Sequence, residues 1–127
     1  MAQIINTSLI IGLGGFIGTI FRFLISSLIE KSFATSFPIG TLLVNLIGCF
    51  LIGLVSGYFS QKTGDQTQLF FFLTIGILGG FTTFSAIAID SQLFIENGEF
   101  LKMLLYITTQ IIVGITLCLI GYNFMKN

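Results

Sequence analysis

The 127-residue chain has no histidine, no tryptophan, one proline, and only five basic and five acidic side chains. Without histidine it lacks the commonest proton shuttle and metal ligand. A net charge of zero leaves no basic surface for nucleic acid, which is excluded as a partner. No nucleophile–base pair or cluster of metal-ligating side chains is visible, so the chain does not read as an enzyme. Its two cysteines, Cys49 and Cys118, lie within apolar runs and read as buried free thiols. The opening Met1-Ala2-Gln3 carries no basic region and does not read as a signal peptide.

Hydrophobic residues are abundant. They make up 54% of the chain and charged residues only 8%, against about 25% in soluble domains. The mean hydropathy is +1.04. That composition defines an integral membrane protein. Four apolar runs, at about 4–29, 38–59, 69–95 and 101–124, alternate with short polar connectors. Each is long enough to cross a bilayer, which takes about 20 residues. The expected architecture is all-α: four transmembrane helices in one domain spanning 1–127. Pro38 suits the start of the second helix, where a missing N–H is no loss.

The third run carries Gly79-Gly80-Phe81-Thr82-Thr83-Phe84-Ser85 at its middle. Glycine costs about 1 kcal/mol in a helix interior relative to alanine. Two adjacent glycines followed by two threonines predict a break near 79–83. A helix broken inside a membrane must satisfy its freed backbone groups against protein, water or an ion. Broken spans present carbonyls to cations and helix ends to anions. The segment therefore points to ion handling.

Orientation should follow the Lys and Arg of the short loops. Lys62 and Lys126 lie on the side of both termini. Lys31 and Lys102 lie opposite, with Arg22 inside the first span toward that end. The bias is close to nil. This predicts insertion both ways up and pairing as an antiparallel homodimer.

Several polar residues sit where lipid would penalise them. Arg22 shares a face with Gly15, Gly18, Thr19 and Ser26. An arginine at bilayer depth costs about 2.5–3.5 kcal/mol on insertion scales. It suits either a pore-mouth cation or snorkelling to the headgroups. Asn45 lies on a stripe with Thr41, Gly48 and Cys49, and reads as an interhelical hydrogen bond or a donor lining an anion path. Phe84, Ile87 and Ser91 share a face beyond the expected break, and a ring edge such as that of Phe84 carries partial positive charge. Asp90 fits an interfacial acid, a partner of Arg22, or a charge at a pathway mouth. Tyr106 and Gln110 stand one turn apart on the fourth span.

Three segments, in order and on successive spans, carry a family resemblance. They are Gly14-Gly15-Phe16-Ile17-Gly18-Thr19-Ile20-Phe21-Arg22-Phe23, then Gly40-Thr41-Leu42-Leu43-Val44-Asn45-Leu46-Ile47-Gly48, then Gly76 through Ser85. Together they resemble the Fluc family of small bacterial fluoride channels, over nearly the whole chain. The resemblance implies passive fluoride efflux from the cytoplasm across the bacterial inner (cell) membrane. It implies an antiparallel homodimer with two pores and a central structural Na+ held by the backbone carbonyls of Gly79 and Thr82. By motif match, Asn45 and Phe84 would line the pore and Arg22 would be a vestibule cation. Tyr106, Thr41 and Ser85 would be polar positions on or near the path. The chain departs from the family pattern at Ala86, Ile87, Asp90 and Gln110, which stand where the family usually has Thr or Ser, a second Phe, Glu and Ser. All four lie close to the implied path, so Ile87 and Gln110 join the candidate pathway residues.

Two other readings compete. A small dual-topology proton-coupled multidrug exporter needs an acid in its first span, and here none precedes Glu30. A non-transporting membrane assembly subunit fits the glycine-rich faces, and obligate co-purification of another chain would identify it.

Overall fold

The computed structural model describes residues 1–64 and 66–126. All regular structure among them is helical. Helix α1 covers Ala2–Phe33 and α2 covers Ile39–Phe59. The third span runs through α3 (Thr67–Phe71), a π-helical stretch (Phe72–Leu78) and α4 (Gly79–Phe81), and then α5 (Phe84–Glu96). Helix α6 covers Phe100–Lys126. The described residues thus form four helical spans long and apolar enough to cross a membrane.

Local chemistry sets the ends of these spans. Pro38 is the N-cap of α2, one residue before the first helical position. Ala34 closes α1 in the left-handed region (φ 44°, ψ 43°), its N–H returning to the Glu30 carbonyl at 3.0 Å. Gly98, at φ 73°, closes α5. There Gly98 N–H donates to Ile95 O (3.0 Å) and Glu99 N–H to Phe94 O (2.8 Å), a double bond pattern that needs a left-handed residue between them. Glu99 then pairs with Lys102 on the first turn of α6.

Glycines hold the spans together in pairs. A Cβ at Gly14 would sit 2.8 Å from Phe72 O, and one at Gly80 would sit 2.5 Å from Gly15 O. A Cβ at Gly18 would fall onto the Ile77 carbonyl. Along this seam the residue numbers rise together, so α1 lies parallel to the third span. The second seam joins α2 to α6. Gly53 faces the Cys118 carbonyl, Gly57 faces that of Tyr122, and Gly114 faces the Cys49 sulfur. Here too the numbers rise together, so α2 and α6 are parallel. Small residues at such seams let helix backbones approach where lipid gives no hydrophobic drive for association. Cys49 and Cys118 are free thiols in the α2–α6 seam and are half-buried, less covered than the sequence suggested.

The π-helical stretch has a local and a tertiary cause. Thr74 Oγ1 donates back to Phe70 O at 2.7 Å, a bond that bends helices. Gly76 meanwhile receives the backbone of α1 at Ile11 and Gly14. Such stretches recur next to functional sites. A buried cluster lies at the α5–α6 end, where Phe94, Met103 and Tyr106 gather with Phe37; Phe81 of the third span is buried apart from it, beside Gly48. The Phe37 and Tyr106 rings meet edge to face at 5.6 Å. Many of the large apolar side chains of the spans face outward. In the apolar window of α1 only 11% of the residues are buried within the chain.

Candidate ion-handling site

Two residues of the third span leave helical geometry altogether. Thr82 (φ −87°, ψ 158°) and Thr83 (φ −151°, ψ 121°) are extended, between helical Phe81 and Phe84. Their backbone groups find partners on other spans. Asn45 grips Thr83 twice: its Oδ1 accepts the Thr83 N–H at 2.8 Å, and its Nδ2 donates to the Thr83 carbonyl at 3.0 Å. Arg22 Nη1 donates to the Thr82 carbonyl at 3.2 Å. Thr19 Oγ1 reaches Gly80 O at 3.5 Å. The Thr83 hydroxyl caps α5 by accepting the Ala86 N–H at 3.2 Å, and it lies 3.1 Å from the Ser85 hydroxyl. Thr82 donates its own hydroxyl to Leu78 O at 3.0 Å.

A continuous helix would send the Thr83 N–H to the Gly79 carbonyl. Here that donor is spent on Asn45, so the Gly79 carbonyl loses its helical partner. Asn45 is therefore an interhelical bond in this structure, with one N–H of its amide still uncommitted among the described residues. Arg22 is half-buried and points inward to the third span.

Two clefts flank the extended pair. The first, of about 320 Å³, is lined by Asn45, Gly79, Thr82, Phe84, Ile87 and Gln110, together with Cys49 and Thr83. The second, of about 460 Å³, is lined by Arg22, Thr41 and Ser85, with Thr19, Ser26 and Thr83. Every site residue expected from sequence except Tyr106 lines one of the two. Tyr106 is fully buried and donates to Asp90 Oδ2 at 2.7 Å, with Thr41 and Gln110 flanking its hydroxyl. Asp90 accepts from Tyr106 of the fourth span, a partner outside the three roles open to it, and shows no pairing with Arg22 among the described residues. A larger cleft of about 790 Å³, between the start of α1 and α3, contains none of these residues.

Phe84 is 77% exposed, unlike Asn45 (6%) and Gln110 (7%). Its ring stands off the protomer beside the threonine pair. Thr83 was not singled out from sequence, although it supplies both the cap of α5 and the two atoms that Asn45 holds. Its neighbours gave a signal: a threonine three residues before an N–H of a new helix is an N-cap pattern.

Fold and site together define a multi-pass membrane protein with polar clefts set around an extended kink in its third span. Residues 9–122 match the family described as CrcB-like protein, Camphor Resistance (CrcB), and the chain belongs to that family. It is similar to proteins named fluoride-specific ion channel FluC from several bacteria. The relative from Maridesulfovibrio salexigens is 40% identical over 89% of each chain. That from Aquifex aeolicus is 40% identical over 88% of this chain and 90% of its own. One from Campylobacter jejuni is 42% identical over 91% and 90%.

Proposed function

We propose that this chain is the subunit of a fluoride-selective channel that lets fluoride leave the cytoplasm passively across the bacterial inner membrane. The observation that carries this reading is the extended Thr82–Thr83 pair inside an apolar span. Its polar groups are held by Asn45 and Arg22, with a polar cleft on each side. The names of the relatives support fluoride as the ion.

We read the third span as broken at 79–83 and the working unit as an antiparallel homodimer with two pores. Three features support this: the near-even Lys and Arg distribution, the thin cover of α1, and the exposed Phe84 ring. A second copy would cover what one chain leaves bare. In this reading the Arg22 guanidinium draws the anion to the second cleft, beside the Thr41 and Ser85 hydroxyls. The uncommitted Asn45 N–H and the Phe84 ring edge then replace lost water in the first cleft. Tyr106, between Thr41 and Gln110, contributes a hydroxyl to the same polar track. Selection over chloride follows from donors set closely enough to suit the smaller ion.

A structural Na+ fits the residues present. The Gly79 carbonyl has lost its helical donor, and Gly79 and Thr82 line one cleft. Their carbonyls would hold the ion, and a two-fold axis would double two hard oxygen ligands into four. Arg22 takes one lone pair of the Thr82 carbonyl and leaves the other. When bound, the ion supplies the positive charge that converging carbonyl dipoles favour. The Thr82 hydroxyl is turned away to Leu78, so Thr82→Ser is expected to keep Na+ binding. Equilibrium Na+ binding to the purified variant checks this, and loss of Na+ with the fold kept would assign the ligand to the side chain.

The deciding experiment is efflux from liposomes holding the purified protein, read with a fluoride electrode after a K+ ionophore shunts the voltage. Fast fluoride release with no chloride release is expected, and it should persist without a pH gradient. Strict dependence on a proton gradient would rule out a channel. Fluoride retention by liposomes carrying well-folded protein would remove the function altogether.

A further inference from the structure

The ends of α2 and α6 and the starts of α1 and the third span lie at one border of the bundle. Both helix pairs run parallel, and a short connector joins Phe59 to Thr67. Gln61 ties this border together, its Nε2 donating to Met125 O at 3.1 Å and to Lys126 O. Two lysines stand there. Lys62 Nζ lies 4.5 Å from the centre of the Tyr58 ring, and Lys126 Nζ lies 5.6 Å from that of Tyr122. Both distances suit cation–π attraction. Neither lysine has a carboxylate partner among the described residues. The connector's one acid, Asp65, lies outside the described residues, and counting it still leaves the side-chain charge of this border positive.

A cleft of about 410 Å³ opens beside them, lined by Lys62 and Tyr122 with Ser56, Ser60, Gln66 and Phe70. Lys126 reaches the same place over the Tyr122 ring. This cleft adjoins the one of about 790 Å³ between α1 and the third span, and Gln66 and Thr67 line both. The larger cleft has a physical origin. The seam between α1 and the third span has a close contact where Gly76 meets the Ile11 carbonyl. Before Ile11 the two helices part. The wedge so formed carries Gln3, Thr7 and Gln68 toward the border, and Ile11, Phe71 and Ile75 farther into the span.

A cationic, hydrogen-bonding pocket that continues into an apolar wedge has the polarity gradient of a phospholipid. Lysine and tyrosine at the end of a span stand at headgroup depth. We propose that this border is a binding site for an anionic glycerophospholipid. Lys62 and Lys126 take its phosphodiester at the smaller cleft, and an acyl chain fills the wedge between α1 and the third span. The sign of the headgroup decides which lipid fits. A zwitterionic headgroup brings its own ammonium, which the two lysines repel, whereas an anionic one brings none. Each lysine near an anionic lipid contributes about fivefold to binding, so the pair sets a preference of about 25-fold. The site does not rest on the channel reading. An antiparallel dimer would present one such site to each leaflet.

The test is native mass spectrometry of the purified protein in neutral detergent. It is titrated with phosphatidylglycerol or with phosphatidylcholine of the same acyl chains. Wild type is expected to retain phosphatidylglycerol at least about tenfold more tightly. Lys62→Gln combined with Lys126→Gln should remove that preference, and Lys62→Arg combined with Lys126→Arg should keep it, since the charge is conserved. Lys31→Gln combined with Lys102→Gln, at the opposite border, changes the net charge equally and should leave the preference intact. Glycerophosphoglycerol, the headgroup without its chains, should not displace the lipid. Equal retention of both lipids by wild type would overturn the proposal, because something other than an anionic lipid would then fill the cleft. An equal loss in the Lys31 and Lys102 variant would reduce the effect to net charge. Displacement by the chain-free headgroup would make this a site for a free phosphate ester. Either result would also overturn the proposal.

Discussion

Asn45→Asp is expected to reduce fluoride efflux on the order of 100-fold, which corresponds to about 2.7 kcal/mol on the passage barrier. The substitution exchanges one NH2 group for an oxygen. In the folded chain that NH2 donates to the Thr83 carbonyl at 3.0 Å. A carboxylate there would set oxygen against oxygen, in a side chain only 6% exposed. It would also place negative charge beside a path meant for an anion. Both effects act in the same direction, so flux alone cannot separate them.

Asn45→Leu separates them. It adds no charge but leaves the Thr83 N–H and carbonyl without partners inside an apolar span. A buried polar group left unsatisfied costs about 1–3 kcal/mol. Thermal unfolding of the leucine variant is therefore expected to fall clearly, and efflux with it. If Asn45 touched only the ion, Asn45→Leu would lose flux and keep its unfolding midpoint. If Asn45→Asp passed fluoride at the wild-type rate, Asn45 would not belong to the path.

The parts of this molecule that were legible in its sequence are those governed by composition over many residues. Four apolar runs separated by charged or glycine-containing connectors give four spans, because lipid imposes length and apolarity on every spanning helix. Pro38 marked the start of the second span for a reason internal to a single residue. The glycine–threonine segment drew attention because it is poor helix material, and two of its residues are extended in the structure. The unreadable parts depend on which side chain meets which backbone atom. The π-helical stretch Phe72–Leu78 contains no residue that forbids an α-helix. It forms where Thr74 bonds back and where Gly76 admits α1. Asn45 was visible as an anomaly, yet its partner is a backbone unit 38 residues away. Asp90 had three plausible roles, and its observed partner, Tyr106, came from a different span. Gln110 shows the limit most clearly, since a sequence displays the amide but not that it is buried beside the Tyr106 hydroxyl.

Gly53→Ala tests whether the α2–α6 seam sets the width of the first cleft. A Cβ at Gly53 would land on the Cys118 carbonyl, with its carbon at 2.9 Å and the Cys118 Cα at 3.0 Å. These are backbone atoms, so no side chain can rotate away and the helices themselves must separate. Overpacking of this kind typically costs about 1–3 kcal/mol, and rigid backbone on both sides argues for the upper part of that range. Helix propensity works against the effect, since alanine is favoured over glycine by about 0.8–1 kcal/mol. Gly12→Ala measures that opposing term within the same chain, because nothing lies within 4 Å of a Cβ there. The expected result is a lowered unfolding midpoint for Gly53→Ala and an unchanged or slightly raised one for Gly12→Ala. The functional consequence follows from what the two helices carry. Asn45 is on α2 and Gln110 on α6, two turns before Gly53 and Cys118 respectively, and both line the first cleft. Forcing the seam apart moves donor from donor, which a small ion feels before a larger one does. Gly53→Ala should therefore slow fluoride and relax the exclusion of chloride together, measured as the ratio of their release rates from the same liposomes. A ratio equal to that of wild type, in protein whose midpoint has fallen, would mean that the cleft is held by the Asn45–Thr83 bonds alone and that the seam contributes only stability.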